Sequence, residues 1–387
     1  MFKKLTIGLP IALISFNALA IEISSDSDNW NLDLGGAVRT RFDFDPDRDI
    51  HKYGIDTVIL KAKGSYQNFG GEAEYRLMGG SYPYDYTKNI GDVAFAKKAF
   101  LQYQFDKTGN IQVGLNQVPI GPQPYFTSTM IESIGYITGL EDLFKVGVKL
   151  NKKFGQHEIY LGYYWDSAWS GNGTSNGTTY SNVVTKADPM LQNGTQYEEK
   201  DTFVAQYNYS FEALTSKSNI GLTGYHSKLE GVNQEDGTRD VLGFHYIWNK
   251  DAYGLKFVTL YQDIDIPYDH ITLGGYDSTF NMASKGMIYS IDASYKIPSK
   301  LLNQNIKDLT VYANYSAYDK RKKEYLDSQQ IVLGSSFLFK ENFFTAIEWL
   351  FGKNDPYIGG SSYTDSLAKG GSNQWENQLN INIGYYF

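Results

Sequence analysis

The sequence predicts an all-β fold: a 16-stranded antiparallel β-barrel with an apolar outer face and a polar interior. Three observations predict it: segments in which apolar and polar side chains alternate, a regular succession of short and long connections, and an alternating segment that ends the chain. Residues two apart in a strand share one face, so each such segment has one apolar and one polar face. The composition, with 32 Tyr and 22 Phe against 10 Pro, favours strands.

The chain begins with a pattern typical of exported proteins. Lys3 and Lys4 precede an apolar run over residues 5–16, and Ala18-Leu19-Ala20 forms a small-residue cleavage site. We therefore expect a cleaved signal peptide over residues 1–20 and a single transmembrane β-barrel domain over residues 21–387. No apolar run of about 18 residues follows, so a membrane-spanning form of this chain must be a closed barrel, in which every backbone group can be paired.

The first four alternating segments are 32–44, 55–66, 71–78 and a fourth that ends at Phe105. Within each segment the charged side chains lie on one face of the strand. In a barrel with a water-filled lumen, that face points to the interior. The basic residues predicted to line the pore are Arg39, Arg41, Lys61, Lys63, Arg76 and Lys98. The residues predicted to face lipid, here and in later strands, are Leu34, Val38, Leu60, Tyr103, Leu161, Ile381 and Ile383.

The middle of the chain contains three shorter strands and two irregular segments. We expect strands at 111–117, 145–150 and 157–169 from their alternation. The segment 118–144 contains Pro119, Pro122 and Pro124 and has no clean alternation. The segment 170–200 is rich in Gly, Ser, Thr and Asn, which predicts an exposed loop.

Nine further segments complete the predicted barrel. Tight connections follow the even-numbered strands and long ones, such as 263–285 and 352–373, follow the odd-numbered strands, as in barrels with short periplasmic turns and long external loops. The predicted strands are 202–211, 219–227, 241–248, 252–262, 287–296, 309–318, 330–339, 343–351 and 374–387.

The last segment, Trp375 to Phe387, resembles the closing strand of a bacterial outer-membrane β-barrel. Its odd positions are apolar or aromatic apart from Asn377, and the chain ends on an aromatic residue. In such barrels the terminal aromatic is part of the signal read by the barrel-assembly machinery. The resemblance implies that role for Tyr385 and Phe387, together with a Gram-negative outer membrane and contact with lipid and lipopolysaccharide.

The stretch from Phe95 to Gly121 resembles the porin O and P family of phosphate-selective porins. An alternating strand with basic residues, a turn and the sequence V-G-x-x-x-V-P-x-G lead there into a third external loop that folds into the pore. The resemblance implies an inward-folded third loop and a homotrimer. This chain departs from the family because 118–144 has no Lys or Arg, so phosphate selectivity is in doubt. The only charges in that segment, predicted as acidic pore-loop residues, are Glu132, Glu141 and Asp142.

These features predict a porin: a water-filled channel for passive diffusion of small hydrophilic solutes and ions, with modest selectivity. The alternative is a channel specific for an anion such as phosphate, or for a small organic acid or sugar; a barrel enzyme or adhesin is a more remote reading. The five His residues form no paired catalytic or metal-binding motif, and we expect no catalytic residues, no metal and no cofactor. The net charge of −8 argues against a nucleic acid partner.

Overall fold

The computed structural model describes residues 21–25, 30–79, 89–174, 182–186, 191, 193–213, 215–275, 278–359 and 361–387. The predicted signal peptide, residues 1–20, lies outside the described residues. Within these ranges, no helix is long and apolar enough to cross a membrane.

Most of the described chain is β-strand, and very little of it is helical. A short helix, α1 (Ile134–Ile137), and a 3-10 turn, Ser299–Leu301, are the helical elements in these ranges. The strands are β1 (Ile21–Ser25), β2 (Trp30–Asp45), β3 (Ile50–Tyr66), β4 (Phe69–Met78), β5 (Val93–Asp106), β6 (Gly109–Gln117), β7 (Phe144–Phe154), β8 (His157–Ser167), β9 (Tyr197–Ala213), β10 (Ser216–Gly231), β11 (Gly237–Lys250), β12 (Tyr253–Asp265), β13 (His270–Gly275), β14 (Ser278–Ala283), β15 (Lys285–Lys296), β16 (Ile306–Lys320), β17 (Ser328–Phe339), β18 (Phe343–Lys353) and β19 (Trp375–Tyr386).

Sixteen of these strands close into one antiparallel barrel, which confirms the predicted fold class. Each pairs with its two neighbours in the ring, where β15 follows β12, and β19 pairs with β2 to close the ring. Each predicted segment overlaps one barrel strand, but several strands are longer than predicted. In β10, for example, residues 228–231 pair with Tyr197–Lys200 of β9, where backbone pairing continues past the apolar alternation.

The two faces of the barrel differ as the alternation predicts. Leu34, Val38, Leu60, Tyr103 and Leu161 are among the exposed large apolar side chains. Ile381 and Ile383 are partly exposed, whereas Asn380 and Asn382, which alternate with them, are buried. An apolar exterior around a polar interior is the arrangement that lipid requires of a barrel wall, because the outer side chains have no water to contact.

The barrel closes beside the end of the chain. The amide of Gly36 donates to the carbonyl of Phe387 (2.8 Å), and the amide of Phe387 donates back to Gly36 (3.1 Å). Position 36 has no room for a side chain, since a Cβ would lie 2.3 Å from the carbonyl oxygen of Ile59. Beyond this point β1 pairs with the start of β2, from Ile21 with Leu34 to Ser25 with Trp30. The strand β1 thus covers the part of β2 that β19 does not reach.

Two connections expected to be simple external loops pack against buried residues instead. The 263–285 connection contains the hairpin β13–β14, whose Leu273 and Phe280 are fully buried. In the 170–200 segment, which was predicted to be exposed, Val183 is buried and forms a bridge with Leu273. Several apolar side chains of the 263–285 connection are buried, Ile271 and Met282 among them, but their alternation does not reveal which distant residues the hairpin packs against.

The hairpin is joined to the segment 354–374 by backbone hydrogen bonds. Asn281 donates to the carbonyl of Thr364 (2.8 Å) and Ala283 donates to that of Leu367 (2.9 Å). Phe280 and Leu367 belong to the same apolar cluster as Ile137 of α1 and inward residues of the wall such as Leu260. The interior is therefore partly filled by packed chain.

Candidate pore constriction

The segment 118–143 is attached by hydrogen bonds to inward-facing side chains of the far wall. Asp292 of β15 accepts from the amide (3.0 Å) and hydroxyl (2.6 Å) of Ser128. Glu348 of β18 accepts from the amides of Met130 (2.6 Å) and Ile131 (3.0 Å). Both carboxylates are buried, and charge-assisted bonds to backbone amides are among the stronger hydrogen bonds in proteins. They fix the middle of the segment against β15 and β18.

Basic side chains attach the same segment to β11 and β12. Arg239 donates to the carbonyl of Thr138 (3.0 Å), and Lys256 donates to that of Thr127 (2.7 Å). Arg239 is itself buried next to Glu199, which also lies 2.9 Å from Lys145. This buried charge cluster belongs to the support of the segment, since its arginine holds the end of α1.

Glu141 organises the segment from within. One carboxylate oxygen accepts from the amide of Phe126 (2.7 Å), and the other accepts from the amide (3.1 Å) and hydroxyl (2.5 Å) of Ser133, the N-cap of α1. The side chain is 1% exposed, and burial raises the pKa of Glu141 to about 8. Glu141 therefore lies inside the segment, bonded to its backbone.

The predicted basic residues lie on β2 to β5, and most of them are paired with carboxylates. Arg39 lies 3.3 Å from Asp56, and Arg41 2.7 Å from Asp43. Glu74 is shared by Arg76 (2.8 Å), Lys61 (3.7 Å) and Lys98 (3.8 Å), and Lys98 also lies 2.5 Å from Glu72. Lys63 is exposed on β3, opposite Glu72 in the strand register. The pairing reduces the net positive charge of this wall.

Two β-bulges turn inward two charged side chains that strict alternation assigns to the outer face. The register between β2 and β3 shifts at Asp56, and the register between β4 and β5 shifts at Lys97. A bulge inserts one extra residue and so changes the parity of the strand beyond it. Asp56 consequently pairs with Arg39, and Lys97 pairs with Asp142 of the segment 118–143. Both residues were missed in the sequence, where only the neighbouring Lys98 fitted the inward parity.

A cavity of about 130 Å³ lies between this wall, the segment 118–143 and the segment 354–374. Its charged lining is balanced in number. The charged lining residues are Arg39, Arg41, Arg76, Asp56, Glu132 and Asp355.

Sequence-predicted residues are thus divided among three places. Arg39, Arg41, Arg76 and Glu132 share the cavity, and Asp142 reaches the same wall through Lys97. Lys61, Lys63 and Lys98 lie on the wall but do not line the cavity, and Glu141 lies inside the pore segment. Asp355 was missed because the sequence gives no sign that its loop turns inward.

Potential metal ligands do not cluster within the described residues. No group of three or more His, Cys, Asp or Glu side chains in the described ranges has the geometry to hold a metal ion.

Comparison with solved structures finds the same fold in outer-membrane proteins. The chain is similar to OmpF of Salmonella typhi, solved in complex with daunomycin, with a TM-score of 0.60 and 12% identity over 95% of this chain and 100% of that one. It is similar to the channel DcaP of Acinetobacter baumannii, with a TM-score of 0.58 and 12% identity over 94% and 99% of the chains. An anion-selective porin from Comamonas acidovorans gives a TM-score of 0.57 and 12% identity over 92% and 100%.

Sequence comparison adds no closer assignment. No protein-family model and no curated protein sequence matches the chain. At 12% identity the structural likeness concerns the fold, and it does not single out the porin O and P family. The closed ring of sixteen antiparallel strands and these neighbours together show that the chain has the fold of the outer-membrane porins.

Proposed function

We propose that this chain is an outer-membrane porin that forms a water-filled channel for passive diffusion of small hydrophilic solutes and ions, with modest ion selectivity. The observation that carries the proposal is the constriction: a cavity inside a closed barrel, lined by equal numbers of basic and acidic side chains. Opposite charges across a narrow aqueous gap create a transverse field that orients polar solutes, whereas a lining of one sign favours ions of the other sign strongly.

The pairing of the wall charges supports the modest selectivity. Arg39, Arg41 and Arg76 each lie within 3.3 Å of a carboxylate oxygen. A passing anion therefore meets a basic group whose charge is already largely compensated. This differs from a lining of uncompensated cations, which would hold an anion tightly.

Planar-bilayer recording and liposome swelling test the proposal directly. The purified protein should give a steady, roughly ohmic current, and the rate of swelling should fall as the size of neutral sugars increases. A protein that inserts as a folded barrel but gives neither current nor swelling would contradict the channel and would favour a closed receptor or adhesin.

A second candidate, a channel selective for a small organic acid or phosphate, is favoured by the three guanidinium groups in one cavity. Millimolar phosphate or a dicarboxylate added to the bilayer chamber distinguishes the two. Strong block of the current supports the anion-specific channel, and a change no larger than that caused by chloride at equal ionic strength supports the diffusion channel.

The remaining parts of the proposal concern assembly. We propose removal of residues 1–20 on export, recognition of Tyr385 and Phe387 by the barrel-assembly machinery, contact with lipopolysaccharide, and association into a homotrimer. Chemical cross-linking in mild detergent should give a species of three times the monomer mass. Cross-linking that yields only monomer would contradict the trimer.

A further inference from the structure

One side of the constriction cavity is formed by the segment 354–374, which belongs to the connection between β18 and β19. Asp355, Tyr357 and Ile358 of this segment line the cavity together with the arginine wall and the segment 118–143. Asp355 and Ile358 are buried, whereas Tyr357 is partly exposed. Of these three side chains, Tyr357 is therefore the one that a solute in the cavity can contact.

The backbone around Tyr357 is fixed by a turn and by packing. Oδ1 of Asp355 accepts from the amides of Tyr357 (2.8 Å) and Ile358 (3.0 Å). A carboxylate that binds amides two and three residues further along the chain stabilises a turn. Ile358 packs in an apolar cluster with Leu350 of β18 and Ile131 of the segment 118–143. The turn is thus attached both to the barrel wall and to the other side of the cavity.

The ring of Tyr357 is supported by the hairpin β13–β14. Tyr357 and Tyr363 meet edge to face, with ring centroids 5.3 Å apart and hydroxyl oxygens 2.9 Å apart, and Tyr363 in turn packs against Phe280 of β14. A Cβ at Gly275 of β13 would lie 2.6 Å from the hydroxyl of Tyr357 and 2.5 Å from that of Tyr363. A glycine at this position lets the hairpin approach both tyrosines closely.

The hairpin is in turn bound along both of its edges. The amide of Gly274 donates to the carbonyl of Asn182 (2.8 Å), and the amide of Asn281 donates to that of Thr364 (2.8 Å). A hairpin alone is marginally stable, and further strands or packing are needed to fix it. We call the segments 182–184, β13, β14 and 364–367 together the strap.

The strap connects opposite sides of the barrel. Its first segment belongs to the connection between β8 and β9, and its last belongs to the connection between β18 and β19. Half of the sixteen-stranded ring, β9 to β12 and β15 to β18, lies between these two connections. The support of Tyr357 is therefore tied to the wall at widely separated points, which prevents the ring from moving aside independently.

We propose that Tyr357 is a size-determining residue of the constriction and that the strap positions it. A ring held at its backbone and at its hydroxyl narrows the cavity by its volume, so it excludes larger solutes whatever their charge. The inference rests on the proposed channel and names the residue that sets the upper size of the solutes it admits.

Liposome swelling with neutral sugars of increasing size tests the role of Tyr357. Each rate is divided by the rate for glycerol in the same vesicles, so the number of folded channels cancels. With Tyr357→Ala, we expect the normalised rate for a disaccharide to rise to the value that the wild type shows for a monosaccharide. Tyr357→Phe keeps the ring and should keep the wild-type size dependence. Tyr325→Ala is the matched control, because Tyr325 packs against the same apolar cluster as Tyr357 but does not line the cavity.

Phe280→Ala tests the strap, because it removes the ring against which Tyr363 packs. We expect this variant to raise the normalised disaccharide rate, and to raise it no further when it is combined with Tyr357→Ala, since contacting residues that act through one another are not additive. Ile271→Ala removes an equally buried side chain near the other end of the hairpin and should leave the rate unchanged.

The outcomes separate the two roles from the channel itself. No swelling with glycerol through a folded barrel overturns the channel and this inference together. Normal glycerol swelling with the wild-type size dependence in Tyr357→Ala overturns the role of Tyr357 and leaves the channel intact. No effect of Phe280→Ala, an equal effect with and without Tyr357→Ala, or an equal effect of Ile271→Ala overturns the positioning by the strap.

Discussion

At the scale of single residues, Glu141 supports the segment 118–143 without lining the cavity. Glu141 accepts hydrogen bonds from two backbone amides and one hydroxyl of its own segment. A carboxylate in this position replaces the secondary structure that a proline-containing segment cannot form, since it supplies acceptors for amides that would otherwise be buried without partners. The geometry of the pore segment therefore depends on it.

Glu141→Ala should destabilise the protein by about 2–5 kcal/mol, because it leaves the amides of Phe126 and Ser133 buried without acceptors. Glu141→Gln should cost less, since its amide oxygen can still accept from one of the two. Guanidinium-induced unfolding in lipid vesicles measures both. Equal stability of the two variants would contradict the role of Glu141 as a hydrogen-bond acceptor.

Burial also makes the stability contribution of Glu141 dependent on pH. Its pKa is raised from 4.5 to about 8 by desolvation, so between these values the folded chain binds more protons at this site than the unfolded chain. The contribution is fully present below about pH 4.5 and is lost as the pH rises through about 8. Between pH 6 and pH 9 the wild type should lose more stability than Glu141→Gln, which cannot ionise. Parallel losses in the two proteins would contradict this assignment.

At the scale of elements, the segment 118–143 is defined by what it binds more than by its own secondary structure. Its one helix, α1, has four residues, and its fixed points are side chains of strands that lie more than a hundred residues further along the chain. Carboxylates of β15 and β18 bind its amides, and cations of β11 and β12 bind its carbonyls. The wall thus supplies the hydrogen bonds that position the constriction.

Removing both carboxylate anchors should loosen the segment. In the double variant Asp292→Ala, Glu348→Ala, the amides of Ser128, Met130 and Ile131 lose their acceptors, so we expect greater open-channel noise and an altered conductance in bilayer recordings. The control is Asp319→Ala with Glu341→Ala, two exposed or partly exposed acidic residues in salt bridges away from the segment. Noise and conductance equal to the control would show that the segment is held by other contacts.

The closing strand permits an equally direct test. Deleting Phe387 removes two backbone hydrogen bonds to Gly36 and the ring that stacks on Tyr385 at 6.1 Å. We expect less folded barrel in the outer membrane, measured by the heat-modifiable mobility of the protein in gels. Phe339→Ala, which removes a similarly exposed ring at a strand end, is the control. A deletion variant that assembles as well as this control would contradict the role of the terminal residue.

At the scale of the whole molecule, the barrel separates two solvents, and neighbouring residues of one strand report on them. Spin labels at Leu60 and Lys61 should be accessible to oxygen in lipid and to a water-soluble relaxation agent, respectively, because successive strand residues point to opposite faces. Equal accessibility of the two labels to the aqueous agent would contradict the placement of this strand in a membrane.

In the proposed channel, ion selectivity depends on a few wall charges. Neutralising Arg39 and Arg41, which line the cavity, should move the reversal potential toward cations at low salt. Neutralising Lys61 and Lys63, which do not line it, should move the potential less, and both effects should shrink as salt screens the charges. Equal shifts for the two pairs would place the constriction elsewhere along the pore.

The sequence by itself determined the wall of this protein. Lipid outside and water inside impose one apolar and one polar face on every strand, so alternation located all sixteen barrel strands and the side on which Leu60 and Lys61 lie. The closing strand could also be predicted from the sequence, because it has both the alternation and the terminal aromatic residue. Both features are local in the sequence, so they can be recognised without knowing which distant residues the strand contacts.

Only the tertiary structure decided the interior. The bulges at Asp56 and Lys97 change parity by one residue, which alternation cannot anticipate. The hairpin β13–β14 and the placement of Asp355 depend on packing between segments far apart in the chain, as when Phe280 meets Tyr363 at 6.0 Å. Inside the barrel, polar and apolar side chains can both be buried if a partner reaches them. Closure of the barrel determines which residues contact each other in the interior, because it brings residues hundreds of positions apart to the same cavity.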